Sequence, residues 1–210
     1  MQAYTTQVWL VFLMGAAQKA GLLPISKGLF HRIIYLSNCL APLFETVPSV
    51  ATIIKYKRGP FYPTLQWNLD RLAVSGVLEV RDLVYSTDQY GVWMEANYLL
   101  NGNSRNIIDR CTQIHYGRKL EKYLTEMIFA IASISRRTWD SAALYDSTYD
   151  EVGKSEGSFI DFTDQSNNLS VKTARTFKVV VPKGIVISPK EEMFLYLRFL
   201  EAQAEKKVCR

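Results

Sequence analysis

Trp9-Leu10-Val11-Phe12-Leu13-Met14 offers no polar face to water at helical spacing, so a helix through it has to be covered on every side. The cover must come from the rest of this chain or from another chain. Thr5 or Thr6 can cap such a helix, and Gly21 and Pro24 stop it after about Lys19. The apolar run from Val8 to Ala17 is too short to span a bilayer, and MQAYTTQ before it lacks the basic residues of a secretory leader, so a buried helix is expected.

Enough apolar chain follows to bury that helix: 48% of the 210 residues are hydrophobic and 21% charged, the balance of an ordinary globular protein. Ser26 is placed to cap a second helix, in which Leu29, Ile33, Leu36, Leu40 and Leu43 recur at steps of four and three. His31, Arg32 and Asn38 fall mainly on the opposite side, which predicts a surface or boundary position for His31 rather than a ligand role. Pro42 and Pro48 end this helix by about Glu45.

The stretch from Ile53 to Leu100 is the most informative. Ile53 to Lys57 reads as a short strand or helix end, and Arg58-Gly59-Pro60-Phe61-Tyr62-Pro63 as a turn. A helix with Phe61, Leu65, Leu69 and Leu72 on one face follows, closed by Gly76 in a left-handed cap. Val77 to Val80 then alternates like a strand, Ser86 to Gly91 supplies turn residues, and Val92 to Ala96 gives a return strand. Helix, glycine, strand, polar turn and strand is the order of a winged helix. The expected fold is therefore α+β and mainly α-helical, with a winged-helix-like unit and its β-hairpin wing over 1–100.

Residues 101–210 are expected to form a helical region with a short strand and a C-terminal helix. One bent or two consecutive helices carry Ile107, Cys111 and Ile114, then Leu120, Leu124, Met127, Ile131 and Ile134. The region from Arg136 to Gln165 reads as loops with helical turns around Trp139 to Tyr145, and Phe177 to Val181 as a strand. Ser188-Pro189-Lys190-Glu191 is a strong helix start, leading into Met193, Leu197, Leu200 and Ala204.

Catalytic templates lack their defining residues. His31 and His115 have no cysteine or histidine at zinc-like spacing, and no nucleotide-binding glycine loop or nucleophile elbow is present. Neither metal nor cofactor is expected. Asp140, Asp146, Asp150 and Glu151 could hold a divalent ion for phosphodiester cleavage, but they suit an exposed loop equally well, as do Asp161 and Asp164. The scattered Cys39, Cys111 and Cys209 suit a reducing cytoplasm.

Binding remains. A net charge of +5 leans toward polyanions. Lys55, Lys57, Arg58, Arg71 and Arg81 flank the helix and wing where a winged helix meets DNA phosphates, and Lys172, Arg175, Lys178 and Lys183 make a second basic group. Trp9, Phe12, Leu13, Phe61 and Tyr62 are candidates for a partner-facing surface.

Tyr56-Lys57-Arg58-Gly59-Pro60-Phe61-Tyr62-Pro63, with Leu65, Leu69, Leu72 and Gly76-Val77-Leu78, resembles the middle components of bacterial three-component ABC-ATPase systems. Among these it is most like the small subunit of Lamassu-type defence complexes against phage and plasmids. Leu22-Leu23-Pro24 and His31-Arg32-Ile33-Ile34-Tyr35 extend the likeness over the first half of the chain. The resemblance implies an SMC-like ATPase with coiled-coil arms, an effector that is often a nuclease, and this chain as the non-catalytic subunit joining them. Foreign double-stranded DNA would be the signal, and no catalytic residue carries over. The alternative from the residues alone is a free-standing winged-helix transcription regulator, dimeric and reading bases through Arg71. A third is a metal-dependent nuclease using the Asp140 to Glu151 region.

Overall fold

The computed structural model describes residues 2–50, 52–56, 58–102, 104–113, 115–150, 155–162, 168–182 and 184–208. Helix α1 spans Gln2–Lys19, and Trp9 to Met14 are all buried within this chain, which answers how its apolar girdle is covered. A two-residue strand β1, Ile25–Ser26, leads into α2, Lys27–Leu40, with the Ser26 hydroxyl accepting from the Leu29 amide at 3.3 Å as the sequence predicts. A 3₁₀ turn over Ala41–Phe44 finishes it.

Next come strands β2 (Thr52–Tyr56) and β3 (Gly59–Phe61), helix α3 (Pro63–Val74), and long strands β4 (Leu78–Asp88) and β5 (Gly91–Leu100). Gly76 takes φ +73° and the Val77 amide reaches back to the Leu72 carbonyl, the six-to-one bond of a Schellman cap. Strand order is β1-β5-β4, all antiparallel. Helix, strand, helix, helix, strand, strand with this order is a winged-helix arrangement, with β2 and β3 added as a hairpin between α2 and α3. Gly59 to Phe61, expected as part of a turn over Arg58 to Pro63, are thus a strand paired with β2.

The second half closes over the first. Helices α4 (Ser104–Thr112) and α5 (His115–Ser133) are two separate elements, and α5 lies along α1 with Leu120, Leu124, Met127 and Ile131 turned inward. After α6 (Trp139–Ala142), strand β6 (Phe159–Asp161) joins the free edge of β2, giving a second sheet of order β3-β2-β6. Helices α7 (Leu169–Val180) and α8 (Pro189–Val208) complete a single continuous core. At the start of α8 the Ser188 amide donates to Glu191 Oε2 at 2.7 Å and the Glu191 amide to Ser188 Oγ at 3.3 Å, the reciprocal capping box that the sequence predicts. Among the described residues no helix is long and apolar enough to cross a membrane.

Two expectations are corrected. Phe177 to Val181, expected as a strand, is the end of α7 and its C-cap: Val171 and Ala174 pack inward at helical spacing, and the Asn168 side chain caps the helix by accepting from the Val171 amide at 3.0 Å. His31 and Asn38 are not boundary residues but buried ones, because the added β2–β3 hairpin and the loop before it cover the second face of α2. Asn38 Oδ1 accepts from the Ser49 amide at 2.6 Å, and Arg32 Nη2 donates to the Arg58 carbonyl at 3.0 Å.

The halves are also joined through one buried carboxylate. Asp146, fully enclosed, accepts from the Tyr35 hydroxyl of α2, the Tyr196 hydroxyl of α8 at 2.6 Å and the Ser170 hydroxyl of α7 at 2.9 Å. The amides of Thr148 and Tyr149 donate to it as well, at 3.0 and 3.2 Å. Burial and the neighbouring carboxylate both raise the Tyr35 and Tyr196 pKa values, so these phenols stay protonated donors.

Candidate functional site

In a winged helix the exposed face of the last helix and the wing form the reading surface. Here α3 starts on Pro63 and turns Leu65, Leu69 and Leu72 inward, which leaves Trp67, Asp70, Arg71 and Val74 outward. Trp67 is 68% exposed and Val74 91%. One cation and one anion on that face cancel.

The wing repeats the pattern. Tyr98 of β5 is buried edge-on against Phe30, and its hydroxyl accepts from Gln66 Nε2 of α3 at 3.1 Å. Alternation places Ala96, Met94 and Val92 on the face that Tyr98 starts. Opposite them on β4 stand Val80 against Tyr98, Tyr85 against Met94 and Thr87 against Val92. Only the root of this face meets the core, so Tyr85, Met94 and Val92 are bare. A bulge between Arg81 and Val84, with Asp82 at φ 52°, leaves Leu83 exposed too. β4 has no neighbour on its outer edge among the described residues.

The opposite face of the wing is covered by Arg58. Its guanidinium holds Asp88 with two bonds of 3.0 and 2.6 Å and lies 4.1 Å from the centre of the Trp93 ring. The Arg58 guanidinium in turn holds the Asp88 carboxyl below the usual carboxylate range. Behind this latch is a cleft of about 600 Å³ between α2, the β2–β3 hairpin and the wing, with Tyr56, Phe61 and His31 among its walls. Gly59 at φ +119° lets the hairpin turn beside Arg32, since a Cβ there would sit 3.3 Å from Arg32 Nε. We expect Arg58→Ala to speed amide hydrogen exchange over Gly91 to Glu95 while leaving exchange in α1 and α5 unchanged; equal exchange in the wing would show that the latch does not hold it.

The five basic residues expected at a DNA surface are not gathered into one. Lys55 donates to the Tyr149 carbonyl at 2.6 Å, Arg58 is held by Asp88, and Arg81 pairs with Glu79 at 2.7 Å. Arg71 alone of the four described is exposed on α3, and Lys57 lies outside the described residues. Of the five apolar residues expected to face a partner, Trp9, Phe12, Leu13 and Tyr62 are buried, because α5, α3 and the hairpin enclose them. Phe61 alone is half-buried, stacked on His31 with ring centres 5.3 Å apart.

Asp146 is inside, Asp150 is exposed, and no trio of histidine, cysteine or acidic side chains gathers into a metal centre among the described residues. The Glu151 and Asp164 positions lie outside them, as does Cys209. Trp67, Tyr85, Val92 and Met94 are the surface residues that the sequence reading passed over. Trp67 carried a usable signal, since it falls off the Leu65, Leu69, Leu72 stripe. Compared with protein-family models, with curated proteins and with solved structures, the chain matches none.

Proposed function

We propose that this chain is a non-catalytic accessory subunit that docks larger proteins through α3 and the wing. In the system its sequence resembles, the partners are an SMC-like ATPase and an effector, often a nuclease, assembled in response to phage or plasmid DNA. One observation carries the reading: the surface with which a winged helix grips DNA is here apolar and balanced in charge. Trp67, Val74, Tyr85, Val92 and Met94 are exposed on it, and Asp70 offsets its neighbour Arg71.

DNA affinity comes mainly from cations that displace counterions from phosphates, and a surface without net charge gains little that way. Exposed tryptophan and tyrosine are the side chains that dominate protein interfaces. Co-expression with a coiled-coil ATPase of such a system should yield a complex that survives gel filtration. Trp67→Asp and Tyr85→Asp, both at exposed positions, should each weaken it by roughly tenfold or more. A stable complex indifferent to both changes would move the interface elsewhere, and no complex at all would end the reading.

The strand order itself favours a second reading, a DNA-binding regulator with Arg71 on its recognition helix. That protein would be a symmetric dimer, and Arg71→Ala would relax its choice among DNA sequences. Under the bridging reading the same change alters no sequence preference.

A further inference from the structure

The chain's net positive charge resides in one segment. Residues 169–190 hold Lys172, Arg175, Lys178, Lys183 and Lys190 and no acidic residue, while elsewhere basic residues are matched by the 20 acidic ones. This segment is α7, the connection after it and the start of α8. Because α7 is helical and not a strand, Lys172, Arg175 and Val179 fall on one exposed face at steps of three and four. Lys178 is tied to Glu192 and Lys190 to Glu126, each at 2.7 Å, so among the described residues Lys172 and Arg175 are the cations this face presents.

Beside them the chain exposes branched aliphatic side chains. Val179 is 85% exposed, Val180 76%, Ile185 56% and Val186 92%. Isolated apolar side chains on a surface are ordinary, but four within one short stretch of chain that follows a cationic row ask for a partner both apolar and anionic. A nucleic acid duplex supplies only the charge. We propose that this end of the molecule rests on an anionic lipid surface, with the valine and isoleucine tips at the boundary between headgroups and acyl chains and Lys172 and Arg175 on lipid phosphates. The contact is peripheral, in keeping with the lack of a spanning helix among the described residues. It goes beyond the docking of α3 and the wing and does not depend on it.

Co-sedimentation of the full chain with vesicles tests this. Vesicles of phosphatidylcholine alone should not bind it, and vesicles with about a quarter phosphatidylglycerol should, losing it again at high salt. Lys172→Glu with Arg175→Glu should weaken binding by at least about tenfold, from the attraction of each cation to an anionic surface. Val180→Asp with Val186→Asp, checked for an unchanged melting temperature, should weaken it too. Binding to neither vesicle overturns the proposal, as does an aspartate variant that binds like the parent. Tighter binding to a DNA duplex than to the anionic vesicles would assign the cationic row to nucleic acid instead.

Discussion

Asp146→Ala is expected to lower the stability of the fold by about 4 kcal/mol, the scale of leaving several buried hydrogen-bond donors without their acceptor. The change strands three hydroxyl and two amide donors that converge on one carboxylate between α2, α7 and α8. Each buried donor without an acceptor costs energy that water no longer offsets. A domain of this size has only about 5–15 kcal/mol to lose, so the variant should stand near the limit of folding. Asp146→Asn keeps the shape but turns one acceptor into a donor aimed at hydroxyls, and should cost about 2 kcal/mol. Urea unfolding of the three proteins measures both, and a loss under about 1 kcal/mol for the alanine variant would mean that the network is not a keystone.

Acid should act through His31. Burial, and then the positive Lys27 and Arg32 nearby, lower its pKa from 6.5 to about 4, with the adjacent Gln66 side chain opposing them in part. Above pH 6.5 the imidazole is neutral in both folded and unfolded chains and stability is at its full value. As pH falls from 6.5 toward 4 the unfolded chain takes up a proton that the folded chain refuses, so stability drops across that window by about 3 kcal/mol. Below about pH 4 the folded state accepts the proton and this loss levels off. His31→Gln should flatten the window in urea midpoints measured at successive pH values. An unchanged slope would place the acid sensitivity in other groups.

The fold was legible wherever a local rule had no competitor. The Ser188 capping box, the Gly76 cap, the α3 stripe and the two strands of the wing all follow from short-range chemistry that tertiary contacts did not override. The misplaced face of α2 has one cause, which is a second cover that sequence cannot announce. The β2–β3 hairpin roofs α2, so His31 and Asn38 went inside, whereas α5 wraps α1 and buries its apolar girdle, as a helix without a polar face requires. Phe177 to Val180 carries strand-like residues yet completes a helix, because Val171 and Ala174 behind it set the packing. Much of the segment that carries the family resemblance, such as Ile33, Tyr35, Tyr62 and Leu65, is buried framework, so it speaks to shape more than to the contact surface.

The candidate site was harder to see for an electrostatic reason. Lys55, Arg58 and Arg81 look like a basic rim in one dimension, but each meets an acceptor distant in sequence or on its own strand. Asp146 gave no signal at all, since its partners come from positions 35, 148, 149, 170 and 196.

Hydrogen exchange of the chain alone and in complex with the ATPase bears most directly on the claim that α3 and the wing are the docking face. The account predicts slower exchange on binding over Thr64 to Val74 and Val80 to Met94, with the buried amides of α1 and α5 unaffected. Protection confined to other elements, with α3 and the wing exchanging as fast as in the free chain, would contradict it.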